Sequence, residues 1–291
     1  EHWTWSGAAY DGGPGVYGIL VKNGDGSFDL LQKDQTKYHF DPAGKLAWAE
    51  DKNANRTALA YDGSDRLLTI TEPAGRALTL EYASPVSTSL ISRITDHVLR
   101  SVQYTYNSAS DLVSVTDVTN QTTTMTYDAA HRLLTMTDAN EHTFLTNVYD
   151  ANNRVSEQVD ALNVKWTFAY DEPAHKTLVT DPRGYVTTYQ YDADWRLTSE
   201  KDALTYTVSY LYDADNNRIQ ITDKRGNATH YAFDACGNTT LITDARDGTR
   251  SFAYDTSAGR NNLLAETDPR DHTTSYEYDE HSNLTERTGA L

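Results

Sequence analysis

The chain has 291 residues, with 25 Lys and Arg against 42 Asp and Glu, and its formal net charge of −17 repels phosphate backbones and anionic lipid surfaces. That balance argues against nucleic-acid and membrane-surface partners, and apolar stretches of only a few residues leave no membrane span. Hydrophobic residues make up 38% of the chain and 20 of its residues are Tyr, which predicts a folded protein with a Tyr-rich interior, while a single cysteine, Cys236, excludes an intramolecular disulfide and a multi-cysteine metal site.

Along the chain an aromatic residue followed by Asp, or once by Asn, recurs at Phe40, Tyr61, Tyr106, Tyr127, Tyr149, Tyr170, Tyr191, Tyr212, Phe233, Tyr254 and Tyr278, with Tyr82 in phase but lacking the acid. Most steps are 21 residues; the others are 22 or 24. About halfway through each unit stands a second acid, at Asp117, Asp138, Asp160, Asp181, Asp202, Asp223, Asp244 and Asp268. Two turn signals per unit imply two strands per unit.

The turns make chemical sense. A tight hairpin needs a residue that accepts positive φ, which Gly does freely and Asn or Asp does better than most. Four residues after the anchor stand Gly44, Asp65, Ser110, His131, Asn153, Asn216, Gly237 and Ser282; three after the mid-repeat acid stand Gly75, Asn120, Asn163, Gly184, Gly226, Asp247 and Asp271. Trp195 and Thr205 occupy the same places and do not fit the rule.

Between turns the side chains alternate with period two, as in Leu134 and Met136 or Val113 and Val115, which marks strands with one buried face. The anchor pairs with an apolar residue two positions earlier, as in Tyr104 and Tyr106 or Met125 and Tyr127. Asn147 before Tyr149 breaks that pattern in the 22-residue unit, where a one-residue bulge is expected to change the facing. Two rings are too little apolar surface to hold some twenty residues in order, so neighbouring hairpins must stack. Because so many strands exceed what an open twisted sheet carries, the expected fold is all-β, an antiparallel hairpin strip that curls into a spiral or partial hollow shell.

The segment from Tyr127-Asp128 through His131-Arg132 to Thr137-Asp138 resembles the YD repeat of RHS proteins, toxin-complex C subunits and teneurins, and so do the segments from Tyr61-Asp62 and Tyr212-Asp213. The resemblance extends over residues 37–291 as an array of about eleven units that stops inside a repeat, with residues 1–36 as lead-in or capping strands. It implies a non-enzymatic bacterial module, secreted or at the cell surface, that forms part of a shell enclosing or presenting a C-terminal toxin or effector polypeptide. An acidic, tyrosine-bearing inner wall is then expected to carry much of the net charge. No export signal opens the chain at Glu1-His2-Trp3, so the address of an exported protein is expected elsewhere.

Other motifs are weak. Asp213, Asp215 and Asn217 begin like a calcium loop, but Arg218 stands where Gly is required. The other carboxylates fall at turns, where Asp caps backbone amides, and no nucleophile elbow, phosphate loop or His-Glu-x-x-His pair is present, so neither a cofactor nor a catalytic site is expected. Cys236 sits in a turn with no Lys, Arg or His beside it in sequence. The competing reading is an adhesin module that binds carbohydrate or a cell-surface protein through aromatic faces, with Trp5, Trp48, Trp166 and Trp195 as candidates. Self-association through an open C-terminal strand edge is a further expectation.

Overall fold

The computed structural model describes residues 3–5, 10–82, 89–257 and 260–289. Its elements among these are antiparallel strands, from β1 (Thr4–Trp5) to β28 (Leu284–Gly289), and from β3 (Ile19–Lys22) onward their order in the sheet follows their order in the chain. The fold is therefore the repetitive β-hairpin strip that the alternation predicts.

Contacts divide the chain into two compact units, one of residues 59–205 and one of residues 1–58 with 206–291. In the first, β8 (Leu67–Thr71) to β20 (Leu197–Lys201) each pair with the next. A typical hairpin joins β11 (Ser101–Tyr106) to β12 (Leu112–Thr116), then β13 (Thr122–Tyr127) to β14 (Leu133–Thr137). Tyr104 faces Val115, Val115 faces Thr123, and Met125 faces Met136, which sets one apolar face. The opposite face is Thr-rich, and its hydroxyls pair across strands, as Thr116 with Thr122 at 2.9 Å and Thr126 with Thr135 at 2.6 Å.

In the second unit the lead-in and the first repeat lie against turns of later repeats. The Tyr17 hydroxyl donates to Asn217 Oδ1 at 2.7 Å, the Lys52 ammonium to the Ser282 carbonyl at 2.7 Å, and Asn283 Nδ2 to Asn53 Oδ1 at 2.7 Å. The small hairpin of β1 and β2 (Tyr10–Asp11) sets Tyr10 edge-on to Phe28 at 5.8 Å. Trp3 closes one side of a hollow of about 560 Å³ lined by Leu20, Phe28, Leu30, Tyr38 and Phe40.

Most of the turns share one geometry. In the Asp128 turn the Asp128 amide bonds to the Arg132 carbonyl at 3.0 Å and the His131 amide to the Asp128 carbonyl at 3.1 Å. His131, at φ 63°, supplies the left-handed residue of a bulged three-residue loop. All the turn positions expected to take positive φ do so. So do Trp195 at 61° and Thr205 at 70°, along with Leu99, Glu141 and Ala54, none of which favours that conformation. The reason is the preceding acid: Asp202 Oδ1 accepts the Leu204 amide at 3.0 Å, and Asp192 Oδ1 accepts the amides of Asp194 and Arg196 at 2.9 Å each. The side-chain cap fixes the loop whatever stands at the left-handed position.

Two expectations need correction. The interior is not a deep tyrosine core: Leu80 and Met125 are the buried apolar side chains among the described residues, and the anchor rings are half-buried. Rings standing on a sheet are covered by the units beside them, which leaves their outer faces partly open. Asn147 keeps the inward place and is 7% exposed. The expected bulge does occur in β15 (Thr143–Tyr149), but at Phe144, where Thr137 pairs with Thr143 and Met136 with Leu145, so the facing is restored before Asn147.

Candidate functional site

The repeating site is the rung between adjacent units. From Tyr82 to Tyr170 the anchor hydroxyls reach back to a carbonyl in the preceding unit: Tyr82 to Leu67, Tyr106 to Ile91 and Tyr127 to Leu112 at 2.9 Å each, Tyr149 to Leu133 at 2.7 Å, and Tyr170 to Val155 at 2.8 Å. The bond explains why Tyr rather than Phe serves as the usual anchor. A second link uses Arg. Arg132 pairs with Asp128 at 2.6 Å and lies over the Tyr149 ring at 4.6 Å; Arg154 pairs with Asp150 at 3.0 Å and lies over Tyr170 at 4.4 Å. Arg66 repeats the arrangement between Asp62 and Tyr82.

The Arg132 guanidinium, helped by the Arg132 and Ala130 amides, holds the Asp128 carboxyl below its ordinary range, and burial pushes the Tyr127 phenol up. Each Asp thus joins its own hairpin to the cation that covers the next ring. In the unit whose inner residue is polar, Asn147 Nδ2 donates to the same Leu133 carbonyl at 3.1 Å and its Oδ1 accepts from Gln158 at 3.1 Å. Sequence reading missed the Tyr-to-carbonyl bond and the Arg layer, because both depend on a register that becomes visible only once the strands are paired.

The turn carboxylates are occupied as caps. Asp213 accepts the Asp215 and Asn217 amides on Oδ1 at 3.0 and 2.8 Å, and Asn217 Nδ2 on Oδ2 at 3.0 Å. The expected acidic inner wall is overturned: the carboxylates gather at the turns, and on the Tyr-bearing face Glu200 opposite Tyr189 and Glu266 opposite Phe252 are offset by Arg250 and Arg287. A charged residue in mid-strand would be desolvated among rings, whereas a turn leaves it in water.

The tryptophans divide. Trp48 is half-buried between the His39 ring, stacked at 4.8 Å, and Arg56 at 3.8 Å. Trp195 is 59% exposed and stacks on His175 at 4.8 Å, and Trp166 is 42% exposed. Trp5 pairs through its backbone with Tyr10, and its side chain lies outside the described residues. Cys236 does have a cation near it in space. It lines a small hollow of about 170 Å³ with Tyr17 and Lys33, and burial lowers the Lys33 ammonium against the opposing pull of Asp234 and Cys236.

A family model described as RHS Repeat matches residues 106–143, 196–228, 212–249 and 259–291. These hairpins are RHS repeats. Structures similar to this RHS strip include the crystal structure of TcdB2-TccC3, at 14% identity and a TM-score of 0.62, covering 94% of this chain and 18% of that one. The same complex without its hypervariable C-terminal region matches at 15% identity and a TM-score of 0.61, again covering 94% and 18%. A Photorhabdus luminescens Tc holotoxin pore matches at 15% identity and 0.63, covering 93% and 18%. At such identities the likeness is one of fold, and this chain spans about 18% of the length of these relatives. A sequence comparison with curated proteins returns no match.

The anchors Phe40, Tyr61, Tyr82, Tyr106, Tyr127, Tyr149, Tyr170, Tyr191, Tyr212, Phe233, Tyr254 and Tyr278 all lie half-buried along the RHS strip. Burial raises the phenols of Tyr106, Tyr170, Tyr254 and Tyr278 as it does that of Tyr127.

Proposed function

We propose that the chain is a structural module of an RHS-type shell, without catalytic activity of its own, that sequesters or presents a toxin or effector polypeptide of a secreted or surface-exposed bacterial protein. The observation that supports it most is the interlocked rung, in which Tyr127 donates to Leu112 and Arg132 covers Tyr149, so that each hairpin is completed by the next. An array so built extends by addition of units and suits a wall better than a reaction centre. The likeness in fold to TcdB2-TccC3 over 94% of the chain supports the same reading.

The test uses the full-length protein. Limited proteolysis with and without the array compares cleavage of the polypeptide that follows it, and slower cleavage with the array present is the expected result. Equal cleavage in both overturns the reading.

A further inference from the structure

The unit of residues 59–205 holds two hollows at equivalent places in the repeat, each beside a mid-repeat turn at the end of the Tyr-bearing face. The first, of about 330 Å³, is lined by Ile70, Glu72, Arg76, Leu78, Asp96 and Arg100. There the chain neutralises itself, for Arg76 pairs with Glu72 and Arg100 with Asp96 at 2.6 Å. The second, of about 390 Å³, is lined by Trp166, Val179, Asp181, Tyr185, Asp202 and Leu204.

Val179 and Asp181 stand where Ile70 and Glu72 stand in the first hollow, and Tyr185 takes the place of Arg76. Tyr185 brings no charge, and no cation pairs with Asp181 among the described residues, where Asp181 Oδ1 accepts only the Arg183 and Tyr185 amides at 2.9 and 2.8 Å. Opposite Gln158, on the face of Phe168 and Tyr170, Trp166 fills a position that holds Thr123 and Thr187 in other units, so its ring is additional to the rung. The walls are open: Trp166 is 42%, Tyr185 55% and Leu204 71% exposed.

Elsewhere the chain shows what fits between a carboxylate and an aromatic ring. Arg66 lies between Asp62 and Tyr82, and Arg132 between Asp128 and Tyr149. In the second hollow Trp166 and Tyr185 supply the rings and Asp181 the carboxylate, and among the described residues no cation pairs with Asp181. We propose that the Trp166 and Tyr185 groove receives a Lys or Arg side chain of an extended polypeptide, with the cation set against the rings and Asp181, and with Val179 and Leu204 covering the flanking apolar atoms. The formal charge of −17 draws such a segment in. The inference deepens the proposed function by giving the bound segment its chemistry, and rests on it only in taking the ligand to be a polypeptide.

The test titrates the 291-residue chain with a capped pentapeptide of alternating Gly and Arg, and with its Glu counterpart, followed by amide chemical shifts. The Arg peptide is expected to shift the amides of residues 166, 181–185 and 202–204, and to bind about fivefold or more weakly to Trp166→Ala and to Asp181→Asn. Tyr185→Arg, which restores the arrangement around Glu72 and uses a side chain the repeat already carries there, is expected to abolish binding while leaving the far-ultraviolet spectrum unchanged. The proposal is overturned if the Arg peptide does not bind, if the Glu peptide binds equally, if Tyr185→Arg binds as before, or if only a hexose oligosaccharide such as chitohexaose shifts these amides. Loss of peptide binding alongside retained protease protection in the full-length protein overturns the groove and leaves the shell reading standing; the reverse pattern overturns only the shell reading.

Discussion

Two stretches of the same unit reach one backbone by different means. Between residues 112 and 170 each turn Asp caps its own loop, Arg132 and Arg154 cover the following rings, and the Tyr hydroxyls close on carbonyls of the preceding unit. Between residues 172 and 205 His175, Trp195 and Thr205 hold the left-handed positions; the Trp195 and Thr205 loops keep the common shape, whereas at His175 Asp171 pairs directly with Lys176 without a bulge and its carboxylate accepts the Ala174 amide at 3.2 Å. Here His175 stacks on Trp195 and its Nδ1 donates to the Asp192 carbonyl at 2.9 Å, while Gln190 donates to the Ala174 carbonyl at 2.6 Å. At Trp195 and Thr205 the turn geometry belongs to the repeat, then, and the residue at the left-handed position is interchangeable as long as the Asp cap is kept.

The comparison is broken most severely by acid, which removes what both stretches share. Asp128 is held low first by the Arg132 guanidinium, Asp62 likewise by Arg66, and Asp150 first by the Arg154 amide, all below the ordinary Asp value of 3.8. A depressed folded value means that the stabilisation is complete above 3.8 and is lost as pH falls through the lower folded values. Acid unfolding followed by circular dichroism is expected to begin only below that point. A transition centred above about pH 5 contradicts the role given to the caps.

Removing one ring tests the first stretch alone. Tyr127→Ala takes away a half-buried ring together with its bond to Leu112, and is expected to cost about 3 kcal/mol in urea unfolding. Tyr127→Phe keeps the ring and deletes the bond, with an expected loss of about 1 kcal/mol. If Phe costs as much as Ala, the hydroxyl rather than the ring carries the rung. The second stretch gives the smallest effect, with the opposite sign. Thr205 is exposed and β-branched at φ 70°, so Thr205→Gly is expected to raise stability by up to about 1 kcal/mol, read from the shift in urea midpoint. Unchanged or lowered stability means that contacts of the Thr205 side chain outweigh its backbone strain.

The contrast also explains how much was legible. Alternation, anchor spacing and the Gly, Asn and Asp turn positions are local properties of a hairpin, and Gly75, Asn120 and Asn163 announce their φ by residue type alone. Trp195 and Leu99 do not, because the Asp three residues earlier imposes the turn on them. The Tyr-to-carbonyl bond spans 15 residues and two units, as from Tyr127 to Leu112, and needs the strand register before it can be read. The seating of Tyr17 on Asn217 joins residues 200 apart, and nothing local signals it. The charged wall was misplaced because net charge gives a total and no position, whereas the structure gathers the carboxylates at the turns. The Trp166 groove was legible only as an off-phase aromatic; that Asp181 has Tyr185 where Glu72 has Arg76 emerges when the two hollows are set side by side.

Native-state hydrogen exchange on Tyr127→Phe tests most directly whether a hairpin is completed by its neighbour. Faster exchange is expected in β11 and β12, the hairpin that loses the incoming hydroxyl at Leu112, as well as in β13 and β14, where Tyr127 resides. Faster exchange confined to β13 and β14, with β11 and β12 unchanged, would show each hairpin holding itself together and would contradict the account.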